Sequence, residues 1–188
     1  MIKIILKIVL GIMCLSAFAQ AQSDGRYQRS EHEYPLPDIA LVDQNNRTVS
    51  LQSLVNETKV ILLDFFYTRC KTTCPVLTSD FANFQYRLKP DTGKALLVSI
   101  TIEPEHDSAA LLAQFQGRYK AKPGWLFLTG KEERIERVMR VFSAYTKNRM
   151  GYYPLVFLYV PKKQHWIQFE GHVTVEKLID EYQKAINQ

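Results

Sequence analysis

The chain has 188 residues, with 24 Lys and Arg against 19 Asp and Glu and only 3 cysteines. That length fits one compact domain with an appendage and leaves little room for two independent cores. A hydrophobic share of 46% with 12% aromatics excludes a disordered or fibrous chain. The formal charge of +5 is mild, and no Lys/Arg stripe interleaved with aromatics marks a nucleic-acid surface.

In chain order, residues 1–21 carry Lys3 and Lys7, then an apolar run, then the small-residue patterns Ala17-Phe18-Ala19 and Ala19-Gln20-Ala21. This is the layout of a secretory signal peptide cleaved near Ala19 or Ala21, and it places the mature protein in the periplasm. The alternatives are an uncleaved N-terminal anchor, the chain's one route to a membrane, and lipid attachment at Cys14, which lacks a small residue before it. Cleavage leaves 22 basic against 19 acidic side chains and two cysteines, Cys70 and Cys74. In an oxidising compartment, such a pair is either bonded, kept reduced, or functional.

Residues 22–37 are polar, contain Pro35 and Pro37, and read as a flexible lead-in to a domain spanning 38–188. Ile39–Val42 and Arg47–Leu51 flank Asp43-Gln44-Asn45-Asn46, which predicts a β-hairpin, followed by a short helical turn over Leu51–Val55. Lys59–Tyr67 (KVILLDFFY) fits a strand buried on both faces. Residues 74–88 carry apolar residues at helical spacing, with Pro75 in the first turn. Ala95–Ile102 reads as a second buried strand, and Asp107 or Ser108 as the cap of a helix to about Tyr119. A short strand at Trp125–Leu128 precedes a helix from Thr129 to Tyr145, strands follow at Leu155–Val160 and Trp166–Phe169, and Thr174 opens a last helix. Strands alternating with helices make an α/β sandwich around a mixed sheet.

The chemistry centres on Cys70 and Cys74. They sit where the buried strand gives way to a helix, in Phe65-Phe66-Tyr67-Thr68-Arg69-Cys70-Lys71-Thr72-Thr73-Cys74-Pro75. Thiols four residues apart at a helix start are within reach of each other. The unpaired N–H groups of the first turn, together with Arg69 and Lys71, favour a thiolate there, the form that attacks disulfides and binds soft metals. A permanent structural disulfide is the inert alternative, though so small a loop gains little from cross-linking.

The LVDQNNRTVSL hairpin, the FFYTRCKTTCP run with its C-x-x-x-C-P spacing, SITIEPEHDS and FLTGKEERIERV together resemble the Sco/SenC family over nearly the whole mature chain. The resemblance implies a thioredoxin-like three-layer sandwich with an N-terminal β-hairpin. It also implies an envelope location and copper held by two cysteines and one histidine, in the assembly of cytochrome c oxidase. Two departures stand out. The family's histidine position falls near Tyr152, and none of His32, His106, His165 and His172 is close to it in sequence; the family's Asp near the second strand is Glu103 here. Met150 is the one soft donor in that loop.

Tyr153-Pro154 precedes the strand at Leu155, where related oxidoreductases carry a cis-proline facing their cysteines. The resemblance therefore implies a substrate-binding role for Tyr153 and Pro154, the alternative being a trans proline at a strand start. Three functions follow for the pair. The first is thiol–disulfide exchange, with Cys70 attacking and Cys74 resolving, on a cysteine pair or disulfide of an envelope protein such as a cytochrome oxidase subunit. This activity requires no cofactor. The second is delivery of Cu(I) held by Cys70 and Cys74, and the third is a non-catalytic binding module with a permanent disulfide.

Overall fold

The computed structural model describes residues 27–55, 59–88, 93–146 and 153–187. The segment 1–21, with Cys14, and Tyr152 and Met150 lie outside the described residues. The strand β4 (Val60–Phe66) runs through the middle of an eight-stranded sheet, and all seven of its residues are buried. Its parallel neighbour β5 (Ala95–Thr101) is likewise buried throughout, and β5 pairs in parallel with β6 (Trp125–Thr129). Near-continuous apolar strands of this kind are stable only where helices cover both faces of the sheet.

On the other side of β4, β7 (Leu155–Val160) and β8 (His165–Gly171) pair antiparallel, with β1 (Tyr27–His32) on the edge beyond them. The opposite edge is the hairpin of β2 (Ala40–Asp43) and β3 (Thr48–Ser50), joined to the sheet through β2 and β6. Its turn is tied by the Asp43 carboxylate, which accepts the N–H groups of Asn45 (2.9 Å) and Arg47 (2.8 Å), while Asn46 takes the left-handed φ of 59° that Asn tolerates.

Two apolar cores flank the sheet. One face is covered by α2 (Thr73–Arg87), α3 (Ala109–Arg118) and α5 (Val175–Asn187), whose Leu77, Phe81, Phe84, Leu112, Phe115, Leu178 and Tyr182 meet Leu62, Phe66, Leu97 and Val156. The other is covered by α1 (Leu51–Val55) and α4 (Glu132–Val141), against Ile61, Leu63, Phe65, Val98 and Phe157. The result is the expected three-layer α/β sandwich with a mixed sheet. Ser108, not Asp107, caps α3, its side chain accepting the Leu111 N–H at 3.3 Å. Thr174 caps α5 in the same way through the Lys177 N–H.

Three expectations change. Part of the presumed flexible lead-in, residues 27–32, is the edge strand β1: its backbone pairs with β8, the Tyr27 ring packs edge-on against Phe169 at 5.8 Å, and Arg29 reaches the buried Glu181. Only Tyr27 of this strand is buried, so no apolar alternation marks it in the sequence. The fourth helix is shorter than Thr129–Tyr145. Thr129 completes β6, and the helix stops at Val141 ahead of Ser143, which takes a left-handed φ of 54°. The Tyr153–Pro154 peptide bond is trans. Pro154 stands at the strand start, where a missing N–H costs no ladder bond, and its carbonyl accepts the Gly171 N–H at 2.9 Å.

Phe157 is fully buried among Phe65, Phe142 and Tyr34, with ring centroids 4.8–6.0 Å apart. Phe157→Ala is expected to cost about 3–5 kcal/mol in urea or guanidinium unfolding. A loss below about 1 kcal/mol contradicts the placement of this ring in the core.

Candidate functional site: a polarised thiol pair at a helix start

The loop between β4 and α2 is built by backbone rules. The Ile102 N–H donates to the Phe66 carbonyl at 2.8 Å, extending the β4–β5 ladder to the end of the strand. The Cys70 N–H then turns back on the Tyr67 carbonyl at 3.2 Å, and α2 begins at Thr73. Thr72, at the N-cap position, makes no side-chain cap. The sulfur of Cys70 accepts instead, taking the Cys74 N–H at 3.3 Å. One of the orphan donors of the helix start is thus satisfied by a thiol. Pro75, also in the first turn, has no N–H to satisfy. Both cysteines are free thiols; Cys70 is half-buried, and Cys74 is only 4% exposed.

Their environments push the two thiols apart. Burial alone would raise Cys70, but hydrogen bonds from the Cys74 thiol, the Cys74 and Thr72 N–H groups and the Tyr67 hydroxyl outweigh it and bring Cys70 down to about 7. Cys74 moves far the other way, chiefly through burial, then through its hydrogen bond to Cys70 and the nearby charges of Cys70 and Asp64. Tyr67 is pushed up to about 12 by burial and by its hydrogen bond to Cys70, so it remains a phenol donor. Arg69 and Lys71, expected from the sequence to favour the thiolate, play a smaller part than these hydrogen bonds. The Arg69 guanidinium is turned to Glu103, with Nε and Nη2 both 3.0 Å from Oε2.

Asp64, in the middle of β4, is 1% exposed, and its Oδ1 has no hydrogen-bond partner among the described residues. Burial pushes its carboxyl group up to about 7 against the lowering effect of the Ser99 hydroxyl. In the sequence it is a lone acid inside KVILLDFFY, and that solitary carboxylate in an apolar run is the signal that could have singled it out. Thr68, Thr101 and Asp107, which knit the loop to β5, carry no comparable signal.

Tyr153 is exposed and lines a shallow groove of about 190 Å³ with Ser143, Tyr145, Leu155 and Gln168. The histidines have other neighbours: Ser30 for His32, Glu31 for His165, and Asp80 for His172 at 3.2 Å, while His106 lies in the turn before α3. Among the described residues, no group of three or more His, Cys, Asp and Glu is placed to hold a metal ion. Two thiols suit a soft cation content with two sulfur ligands, as Cu(I) is.

The profile of the SCO1/SenC family matches residues 28–187. The chain belongs to the SCO1/SenC family. It is 31% identical over 130 residues to a SCO1 protein homolog of Bacillus subtilis, covering 68% of this chain and 66%, just under two thirds, of that relative. Among solved structures, BsSco, described as a member of the Sco family of cytochrome c oxidase assembly proteins with a disulfide switch, superposes with a TM-score of 0.69 at 26% identity, over 83% of this chain and 95% of that one. Arabidopsis thaliana ScoI with copper bound superposes with a TM-score of 0.67 at 24% identity, over 80% of this chain and 96% of that one, a likeness of fold. The Sco family's thioredoxin-like fold is thus the fold of this chain, with β4–α2–β5 and β7–β8–α5 as its two halves.

Asp64 also gives the domain a pH signature. Between about pH 4 and pH 7 the folded Sco domain keeps a proton that the unfolded chain has released, so this group makes stability fall as pH rises through that window. The effect is on the order of 4 kcal/mol at most. Asp64→Asn is expected to remove that slope, so that the variant gains on the parent between pH 4 and pH 8 in chemical unfolding. Parallel stability curves would show that the carboxyl group ionises as freely in the folded state as in the unfolded one.

Proposed function

We propose that this Sco-family protein works chiefly by reversible dithiol/disulfide exchange on the cysteine pair of an envelope protein, in the assembly of the copper site of cytochrome c oxidase. The observation that carries the reading is the opposite displacement of the two thiols: Cys70 accessible and lowered to about 7, Cys74 buried and raised. An attacking thiol works best with a pKa near ambient pH, while a partner that stays protonated does not compete for the substrate.

The exchange balances as follows. The Cys70 thiolate attacks one sulfur of a client disulfide. The new S–S bond forms as the client bond breaks, and the departing client thiolate takes a proton. Cys74 then gives up its proton, and its sulfur attacks Cys70, releasing the second client thiol. The client disulfide ends reduced and the Cys70–Cys74 pair oxidised; the reverse sequence oxidises a client dithiol. Asp64 is the buried acid whose field reaches Cys74, and removing that charge is the simplest way to change how readily Cys74 ionises. Residues 1–21 support a periplasmic site for this work, with the segment acting as a cleaved export signal.

The second reading is delivery of Cu(I), with Cys70 and Cys74 as ligands and copper as cargo. It is favoured by the paired thiols and by the family, whose plant member is known with copper bound. Both readings use the same sulfurs, and they separate on whether a disulfide or a copper ion engages them.

Cys74→Ser is expected to accumulate a mixed disulfide on Cys70 with glutathione disulfide in vitro and with client proteins in cells, resolved by diagonal electrophoresis and mass spectrometry, whereas Cys70→Ser traps neither. Trapping by Cys70→Ser alone would reverse the two roles, and no adduct with either variant would remove the exchange reading. In copper titrations, the reduced protein is expected to take up one Cu(I) through both thiols, measured by competition with a chromophoric chelator. With Cu(II) it is expected to form no lasting thiolate charge-transfer band; a stable band would mean that a third donor completes the site.

A further inference from the structure

We infer that Asp107 is the positioning residue of this site, its buried carboxyl group holding the Cys70 loop in the place where the Cys74 N–H meets the Cys70 sulfur. Asp107 is fully buried. An Asp directly before a helix ordinarily caps it, but here Ser108 does so, which leaves the carboxyl group free for another purpose. It is used up on the loop and its support. The Thr68 N–H donates to Oδ2 at 3.1 Å, the Thr68 hydroxyl donates to Oδ1 at 2.5 Å, and the Thr101 hydroxyl donates to Oδ2 at 2.5 Å.

The network is closed behind Asp107 as well. Its own N–H donates to the Glu103 carbonyl at 2.9 Å, and the Glu103 N–H donates to the Thr101 hydroxyl at 3.0 Å. Thr68 is therefore fixed by both its backbone and its side chain to a residue 39 positions away that is itself locked to the end of β5. Thr68 stands two residues before Cys70. A second link between the loop and this segment, Arg69 to Glu103, involves a guanidinium that is 56% exposed, and exposed ion pairs hold geometry weakly. Charge-assisted bonds to a buried carboxyl group are stronger and more directional. Anchoring before Cys70 and the helix start after it leave the thiol one place to sit.

This inference rests on reading Cys70 as the attacking thiol, and it is tested on Cys70 reactivity alone. In a Cys74→Ser background of the full domain, the rate at which the Cys70 thiolate displaces iodide from iodoacetamide is measured at pH 7, alongside the thermal midpoint. Thr68→Val, which deletes the hydroxyl at nearly constant shape, and Asp107→Asn, which removes an acceptor, are expected to slow alkylation at least fivefold, since small displacements of a reacting group are costly. Thr68→Ser, which keeps the hydroxyl, is expected to restore the parental rate within about twofold. Alkylation of Thr68→Val at the parental rate, or equal slowing in Thr68→Ser, overturns the assignment. If Asp107→Asn fails to fold, the Thr68 pair decides. Iodoacetamide needs no partner disulfide, so absence of reaction with glutathione disulfide defeats the exchange reading while leaving this result standing.

Discussion

The site depends on one hydrogen bond, from the N–H of Cys74 to the sulfur of Cys70. A helix start presents N–H groups that have no partner inside the helix, and here Thr72, at the N-cap position, does not cap them, its hydroxyl lying instead 3.9 Å from the Cys70 sulfur. A thiolate is a better acceptor than a thiol, so the unsatisfied donors of the first turn act as a standing preference for the ionised form of Cys70. The preference is only as good as the geometry. α2 is nailed to the sheet by Leu77, Phe81 and Phe84, and β4 is buried on both faces, so the two ends of the loop have no freedom to drift. Packing far from the sulfur thus sets the chemistry at the sulfur.

The same packing makes the pair unequal. Cys74 belongs to the apolar core under α2, and a buried thiol resists ionisation; the field of Asp64 in the adjacent strand adds to that resistance. Cys70 lies a turn earlier, where the chain leaves the core and meets water. Sequence separation of four residues therefore spans the boundary between core and solvent, and the difference between the thiols is a difference of burial before it is a difference of charge. This corrects the weight that neighbouring cations carry in a reading of the sequence, since Arg69 is turned toward Glu103 and the lowering comes from the Cys74 thiol, the Cys74 and Thr72 N–H groups and the Tyr67 hydroxyl.

The sheet and its helices were legible because their signals are strong and local. Long apolar runs become the central strands β4, β5 and β7, the 3.6-residue spacing of Leu77, Phe81 and Phe84 becomes the buried face of α2, and an Asp-Gln-Asn-Asn turn becomes the β2–β3 hairpin. The edge strand β1 was not legible. It is held by ladder bonds to β8 and by one aromatic contact, neither of which leaves a periodic mark. The cysteine pair was legible from spacing, strand and proline together. The residues that support it were not: Thr68, Thr101 and Asp107 are ordinary loop and strand residues whose meaning comes from meeting across 39 positions of chain. At the proline before β7 two geometries were open from the sequence, and the structure has the trans one, with the Pro154 carbonyl accepting the Gly171 N–H.

Among the described residues no histidine joins the two cysteines in a cluster of three potential ligands, and Glu103 is engaged by Arg69. A divalent copper ion asks for nitrogen or oxygen donors beside its thiolates, and Glu103, on the β5–α3 segment, is paired with Arg69. What remains is a pair of sulfurs with a supply of backbone donors. Such donors stabilise a negative sulfur whether it is about to attack a disulfide or to receive a monovalent soft cation. The two readings of this Sco protein are thus two uses of one physical property, a half-buried thiol lowered toward ionisation beside a buried, protonated partner. The redox state of that partner decides between them: oxidation of Cys74 removes both sulfurs from the metal, and binding of the metal to both sulfurs blocks exchange.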